Sequence, residues 1–312
     1  MWLTYSVLAA VSFGLRGILY HYTSQKPLNR NLLLFGTFTM GAIISIACAL
    51  VYSSHWTAGA LVGIQMGLFS FGANASMFKG FAVGKASLVA ILTALPSVVV
   101  VLAAFALWNE RLHAMQLIAF AIIVGGILLV RYSNDISLRN LQGAQWGLLA
   151  MLLFAANDLS GKWSTILEAE LFPTLSYMFF TGASCFGIWW LRDRQRERAK
   201  LRQERVAAAV GRKAEAVAVI AATNENKDTG WSPKRTFLVG LAVGITNVVG
   251  MMFIVTAFDI GKAGLVSAVT ALNVLIVLLY TRLVVKEVFS RPELAGIMLA
   301  FAGIVLMRLF GA

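Results

Sequence analysis

Gly84-Lys85-Ala86-Ser87-Leu88-Val89 returns 177 residues later as Gly261-Lys262-Ala263-Gly264-Leu265-Val266, and Thr93-Ala94-Leu95 returns as Thr270-Ala271-Leu272. Eight of the twelve positions from 84 to 95 are identical in the second copy, more than chance supplies, so the chain carries an internal repeat. Working outward, residues 67 to 131 align with 244 to 308 without a gap, and Glu110 falls over Glu287. Toward the N-terminus the offset drops to 141: Phe13, Leu34, Phe38, Gly41, Ala42 and Leu50 return as Phe154, Leu175, Phe179, Gly182, Ala183 and Leu191. The two offsets differ by 36 residues, so the second half holds an insertion, and the polar stretch 192–234 is where it fits.

With 59% hydrophobic and 13% charged residues in 312, the chain is far more apolar than a soluble domain of this size. Apolar runs of a length that crosses a hydrocarbon core of about 30 Å fall at 2–22, 31–52, 58–80, 86–108 and 114–131. They repeat at 144–164, 173–191, 236–258, 263–285 and 293–310. The expected fold is an all-α membrane protein of ten transmembrane helices. Five helices per half is an odd number, so the halves (1–131 and 144–310) enter the bilayer upside down relative to one another, as two inverted repeats. Many secondary transporters are built this way, with two similar halves rocking about a site near the midplane.

The net charge of +12 invites a nucleic-acid reading, but 12 of the 26 Lys and Arg residues lie between 192 and 235. Connections 1-2, 3-4, 5-6, 7-8 and 9-10 carry 21 of the 26; the opposite face has Arg111, Lys162, Lys262 and Arg308. Cytoplasmic connections retain basic residues, so both termini are expected outside the cytoplasm of a multi-pass protein of the plasma or inner membrane. No nucleic-acid partner is expected. The first apolar run lacks a basic n-region and reads as a retained span. Cys48 and Cys185 sit inside spans at positions that do not correspond, which argues against a disulfide.

The segment from Gly84 to Pro96, then Trp108-Asn109-Glu110-Arg111 and Gly125-Gly126-Ile127, with its second copy through Lys286-Glu287 and Gly303-Ile304, resembles the EamA-type ten-helix permeases of the drug/metabolite transporter (DMT) superfamily. That resemblance implies a central cavity lined by helices 1, 3, 4, 6, 8 and 9, and efflux of a small organic metabolite such as an amino acid. The sequence departs from the pattern in having Asn273 where the first copy has Pro96, and in the long basic insertion.

Charged side chains at membrane depth face a cavity or a partner, which singles out Arg16 in helix 1 and Asp158 in helix 6. Asn157 is the repeat counterpart of Arg16. Inversion puts Arg16 and Asp158 on opposite sides of the midplane, separated in depth by roughly 12 Å at 1.5 Å per residue, so a direct ion pair is not expected. Two readings stand for each. Arg16 either snorkels to the interface or draws an anionic group to one mouth of the cavity. Asp158 either caps a neighbouring helix or serves as a proton- or cation-coupling site. Asn74, Asn247, Asn273 and the matched Thr93 and Thr270 complete the candidate substrate contacts, since buried amides and hydroxyls need a partner that is either substrate or another helix. Pro96 removes a backbone hydrogen bond and is expected to expose a carbonyl near Leu92, as a gate or a static bend.

Gly59, Gly63 and Gly67, with Gly240 and Gly244 as counterparts, predict a smooth helix face for close packing within one chain more than for a dimer seam; monomer and homodimer both remain open. Glu110 and Glu287 are expected to cap or pair at helix ends. The insertion mixes charges at helical spacing from Arg192, and predicts a cytoplasmic helical extension with a flexible tail at 223–230, attracted to anionic lipid headgroups or simply solvated. No HExxH, GxSxG or Walker pattern is present, so neither an intramembrane enzyme nor an ATP-driven pump is indicated, and no cofactor or metal is expected.

Overall fold

The computed structural model describes residues 1–24, 26–83, 86–131, 143–209, 231–280, 283–284 and 290–310. Their main elements are all helical: α1 (Trp2–Ser24), α2 (Arg30–Val51), a 3-10 turn (Ala58–Leu61), α3 (Val62–Val83), α4 (Ala86–Leu92), α5 (Pro96–Trp108), α6 (Ala114–Arg131), α7 (Ala144–Ile166), α8 (Leu171–Ala209), α9 (Pro233–Ile260), α10 (Ala263–Thr270), α11 (Asn273–Tyr280) and α12 (Arg291–Phe310). Among the described residues eight stretches are long and apolar enough to cross a membrane, with α4–α5 and α10–α11 each supplying one. Of the other two expected spans, α6 is apolar but shorter. The second, α7, has 23 residues, and its Asn157, Asp158, Ser160, Lys162 and Ser164 lower its hydropathy.

Both α4–α5 and α10–α11 are broken, at matched positions of the repeat. In the first copy Pro96 occupies the first turn of α5, where its missing N–H costs nothing. Leu95 N–H donates to Leu92 O at 3.1 Å and Ala94 N–H to Ile91 O at 3.0 Å. The carbonyl expected to be exposed near Leu92 is therefore satisfied by a tightened turn. The second copy breaks in the same place without a proline. Ala271 N–H bonds Ser267 O, Leu272 N–H bonds Val269 O, and Asn273 opens α11.

The halves grip one another through exchanged contacts. A Cβ on Gly41 would enter the Phe179 ring, and one on Gly182 would enter the Phe38 ring. Phe38 and Phe179 meet edge to face at 5.8 Å. Gly63 of α3 lies against Thr174 O of α8, while its counterpart Gly240 of α9 lies against Leu33 O of α2. Gly67 against Met178 O is matched in the same way by Gly244 against Thr37 O. The small-residue face thus packs within the chain, as its spacing predicts, because a missing Cβ lets backbones approach closely. Around this centre α1 packs on α9 and on α10–α11, α7 on α3 and on α4–α5, and α6 on α12. The core runs through Phe13, Leu34, Met66, Phe186 and Phe258.

Helix α8 continues for 39 residues. Its stretch from Arg194 to Glu204 is charged and exposed, the helical extension expected of the insertion, and Asp193 accepts from Asn31 Nδ2 at 2.6 Å. The tail expected at 223–230 lies outside the described residues, as do Glu287 and Lys286.

Candidate functional site

The two interior charges hold separate partners. Arg16 donates to Asn247 Oδ1 of α9, and its guanidinium lies 4.5 Å over the Phe13 ring and 5.9 Å from that of Tyr20. It is thus enclosed by aromatic and amide groups, which are favourable surroundings for a planar cation. Asp158 accepts from Ser267 Oγ of α10 at 2.6 Å, so it meets a side chain rather than a helix end. Among the described residues the ion pairs are His55–Glu170 and Lys162–Glu110, and Arg16 and Asp158 do not pair.

The neutral candidates divide into two groups. Asn74 donates to Ser70 O at 2.8 Å, and Thr93 to Val89 O at 3.0 Å, so their donors are satisfied within their own helices. Asn157 and Thr270 are buried, 8% and 5% exposed, yet Asn157 Oδ1 and Thr270 Oγ1 find no partner among the described residues. An orphaned polar oxygen in an apolar interior is costly, and both residues are close in sequence to the partners of the Asp158–Ser267 bond. Asn157 precedes Asp158, and Thr270 lies one helical turn after Ser267 at the break of α10–α11. Asn273 is half-buried just beyond that break.

Two polar partners escaped the sequence reading. Gln65 of α3 donates to Ser160 of α7 at 3.0 Å. Ser267 stands where the first copy has Ala90, and that departure from the repeat was a visible signal. Gln65, opposite Ala242, was marked in the same manner.

A second polar centre lies at the end of the bundle that carries the N-terminus. A pocket of about 510 Å³ is lined there by Trp2, Glu110, Gln116, Lys162, Asp259 and Lys262 among others. It is built from helix ends. Asn109, in the left-handed conformation at φ 52°, ends α5 and turns the chain, a role Asn fills more readily than most residues. Glu110 Oε2 then accepts from Ala263 N–H at 2.8 Å, at the start of α10. Lys162 donates to Phe258 O at 2.6 Å and Gly261 O at 3.0 Å, at the end of α9. A carboxylate at a helix start and an ammonium at a helix end each complement the local dipole and free backbone groups. This is the capping expected of Glu110.

The sequence model of the EamA-like transporter family matches residues 1–132 and 214–309, which is most of the chain. The chain belongs to the EamA-like transporter family. Membership makes it a membrane-embedded, multi-pass transporter of small molecules, and the family consists of transporters rather than enzymes. A protein known by its crystal structure is similar to this EamA-like chain with a TM-score of 0.68 at 13% identity, over 99% of this chain and 96% of its own; in all, 28 chains of solved structures match. At that identity the likeness concerns the fold. No curated protein matches the sequence.

Proposed function

We propose that this EamA-like protein is a secondary transporter that exports a small organic metabolite, an amino acid or related compound, across the plasma or inner membrane by alternating access. Its ten spans form two inverted five-helix repeats, with both termini outside the cytoplasm. The exchanged glycine and phenylalanine contacts between halves support the repeat, and the clustering of basic residues on alternate connections supports the orientation. Arg16, Asn74, Thr93, Asn157, Asp158, Asn247, Thr270 and Asn273 form the substrate-facing set, and Pro96 marks the hinge of one broken helix.

One observation carries the reading. The interior charges Arg16 and Asp158 are held by neutral partners, Asn247 and Ser267, rather than by each other. An ion pair would neutralise both and leave a ligand little to bind. Two separate charges, with orphaned oxygens on Asn157 and Thr270, leave electrostatic work for a substrate or a coupling cation. Broken helices at matched positions are the backbone arrangement in which transporters place such sites.

The test is counterflow into liposomes holding the purified protein, with pooled amino acids, other metabolites and cationic dyes, with and without a pH gradient. Gradient-stimulated flux that Asp158→Asn abolishes is the expected result. Gradient-independent exchange, equal in Asp158→Asn, makes the protein a facilitator and removes Asp158 from the coupling. Folded protein that moves none of the pools refutes export of these classes. A C-terminal fusion that fluoresces as a cytoplasmic reporter and shows no periplasmic phosphatase activity refutes the orientation.

A further inference from the structure

The geometry points to a lock between the halves: Glu110, Lys162 and Lys262 hold the N-terminal face of the bundle shut, and their release opens that face during transport. The inference rests on the alternating-access reading, and adds to it the residues that close one mouth.

Four contacts of the cluster cross between the halves: Glu110 to Ala263 and to Lys162, and Lys262 to Arg111 and to Gln116. Glu110 follows α5, in the first half. It caps α10 of the second half through Ala263 N–H and pairs with Lys162 of α7 at 3.6 Å. Lys162 in turn binds the last carbonyls of α9. Lys262, between α9 and α10, donates back to Arg111 O and to Gln116 Oε1 at 2.9 Å, both in the first half. Gln116 Oε1 also accepts from His113 N–H at 3.1 Å, so the loop after α5 is drawn into the same cluster. The side chains of Lys162 and Glu110 are only 13% and 16% exposed, a setting in which charged hydrogen bonds outweigh those of a solvated pair.

Next to the cluster α5 and α10 approach closely. Gly264 sits so tightly on Val101 of α5 that an added Cβ would lie 3.1 Å from Val101 Cα. Leu265, next along α10, lines the pocket yet is 1% exposed. The pocket reaches α10 at Leu265, the neighbour of the Gly264 that packs on Val101, and the lock spans α10 and the residue that follows α5 by way of Glu110 and Ala263. Opening the face requires α5 and α10 to part, and this in turn requires Glu110 to leave Ala263 and Lys162.

The prediction is read as thiol accessibility in protein reconstituted in lipid nanodiscs, where both faces meet the reagent. In a Cys48→Ala, Cys185→Ala background, Leu265→Cys reacts slowly with a water-soluble maleimide. Lys162→Met and Glu110→Gln each speed that reaction about tenfold, the factor for losing one charged, partly buried hydrogen bond. Lys162→Arg, which can still donate to the carbonyls and the carboxylate, stays slow. Ala300→Cys, buried between α6 and α12 and remote from the lock, stays protected in every variant. An unchanged Leu265→Cys rate in Lys162→Met overturns the lock. So does a rise matched at Ala300→Cys, because that is general loosening, or a Lys162→Arg variant as fast as Lys162→Met. A failure of substrate flux in liposomes would sink the transport reading without moving these rates, so the two failures are distinguishable.

Discussion

Gly125 and Gly126 are adjacent in α6, yet replacing each by alanine should have opposite consequences. A Cβ on Gly126 would lie 2.7 Å from both Ala300 N and Gly296 O, backbone atoms of α12 that no rotamer change can move. Reaching the 3.4 Å at which ordinary contact begins requires α12 to retreat by about 0.7 Å from α6. A Cβ on Gly125 meets only Leu299 Cδ2, at 3.8 Å. Both substitutions share the helix-propensity gain of about 1 kcal/mol, so that term cancels in the comparison. What remains is the overpacking cost at Gly126, about 1–3 kcal/mol. Differential scanning of detergent-solubilised protein should place Gly126→Ala below Gly125→Ala by several degrees, at roughly 2–4 °C per kcal/mol for a chain of a few hundred residues. Gly125→Ala itself should match or exceed the parent. Equal melting of the two variants, or a lower Gly125→Ala, would refute the argument that backbone approach governs this crossing.

Further expectations concern the charged groups. Asn247→Leu leaves Arg16 with its aromatic neighbours alone, and should lower stability by about 1.5–3 kcal/mol, the value of a hydrogen bond to a charged group, measured by the same melts. Ser267→Ala removes the donor to Asp158 and should slow gradient-driven flux more than gradient-free exchange; equal slowing would assign Ser267 a packing role. On the surface, hydrogen bonds from His55, the backbone N–H first, and from Ser54 hold the Glu170 carboxyl below its ordinary value of 4.5. A depressed native value means that this clasp is fully present above the ordinary carboxyl range and is lost as pH falls through the lowered one. Amide protection at 53–57, the slowing of exchange relative to an unstructured chain at the same pH, should therefore fall on acidification, and Glu170→Gln should remove that change.

Sequence periodicity and repetition made the helices, the internal duplication and the glycine contacts legible, because Gly63 and Gly67 each have a counterpart whose partner is also a counterpart. The break at Pro96 was readable from proline chemistry. Its twin at Thr270–Asn273 was not, since asparagine inside an apolar run permits a helix as readily as it begins one. Arg16 and Asp158 announced themselves by their cost in hydrocarbon. Their partners did not, because Asn247 and Ser267 lie 231 and 109 residues away and any of several polar groups would have satisfied the pattern. The lock was least legible. Half its acceptors are main-chain carbonyls, which every residue has and no composition reveals.

Helix α8 runs without interruption from the packed centre of the bundle, where Phe179 meets Phe38, out to Ala209. The portion of the helix from Arg192 onward spans 18 residues, about 27 Å at 1.5 Å per residue. A continuous helix transmits tilt, so each degree by which its embedded part leans displaces the far tip by roughly half an ångström. This helical extension therefore works as a lever arm, and a spin label or fluorophore at an exposed position such as 204 would report motions of the buried helices.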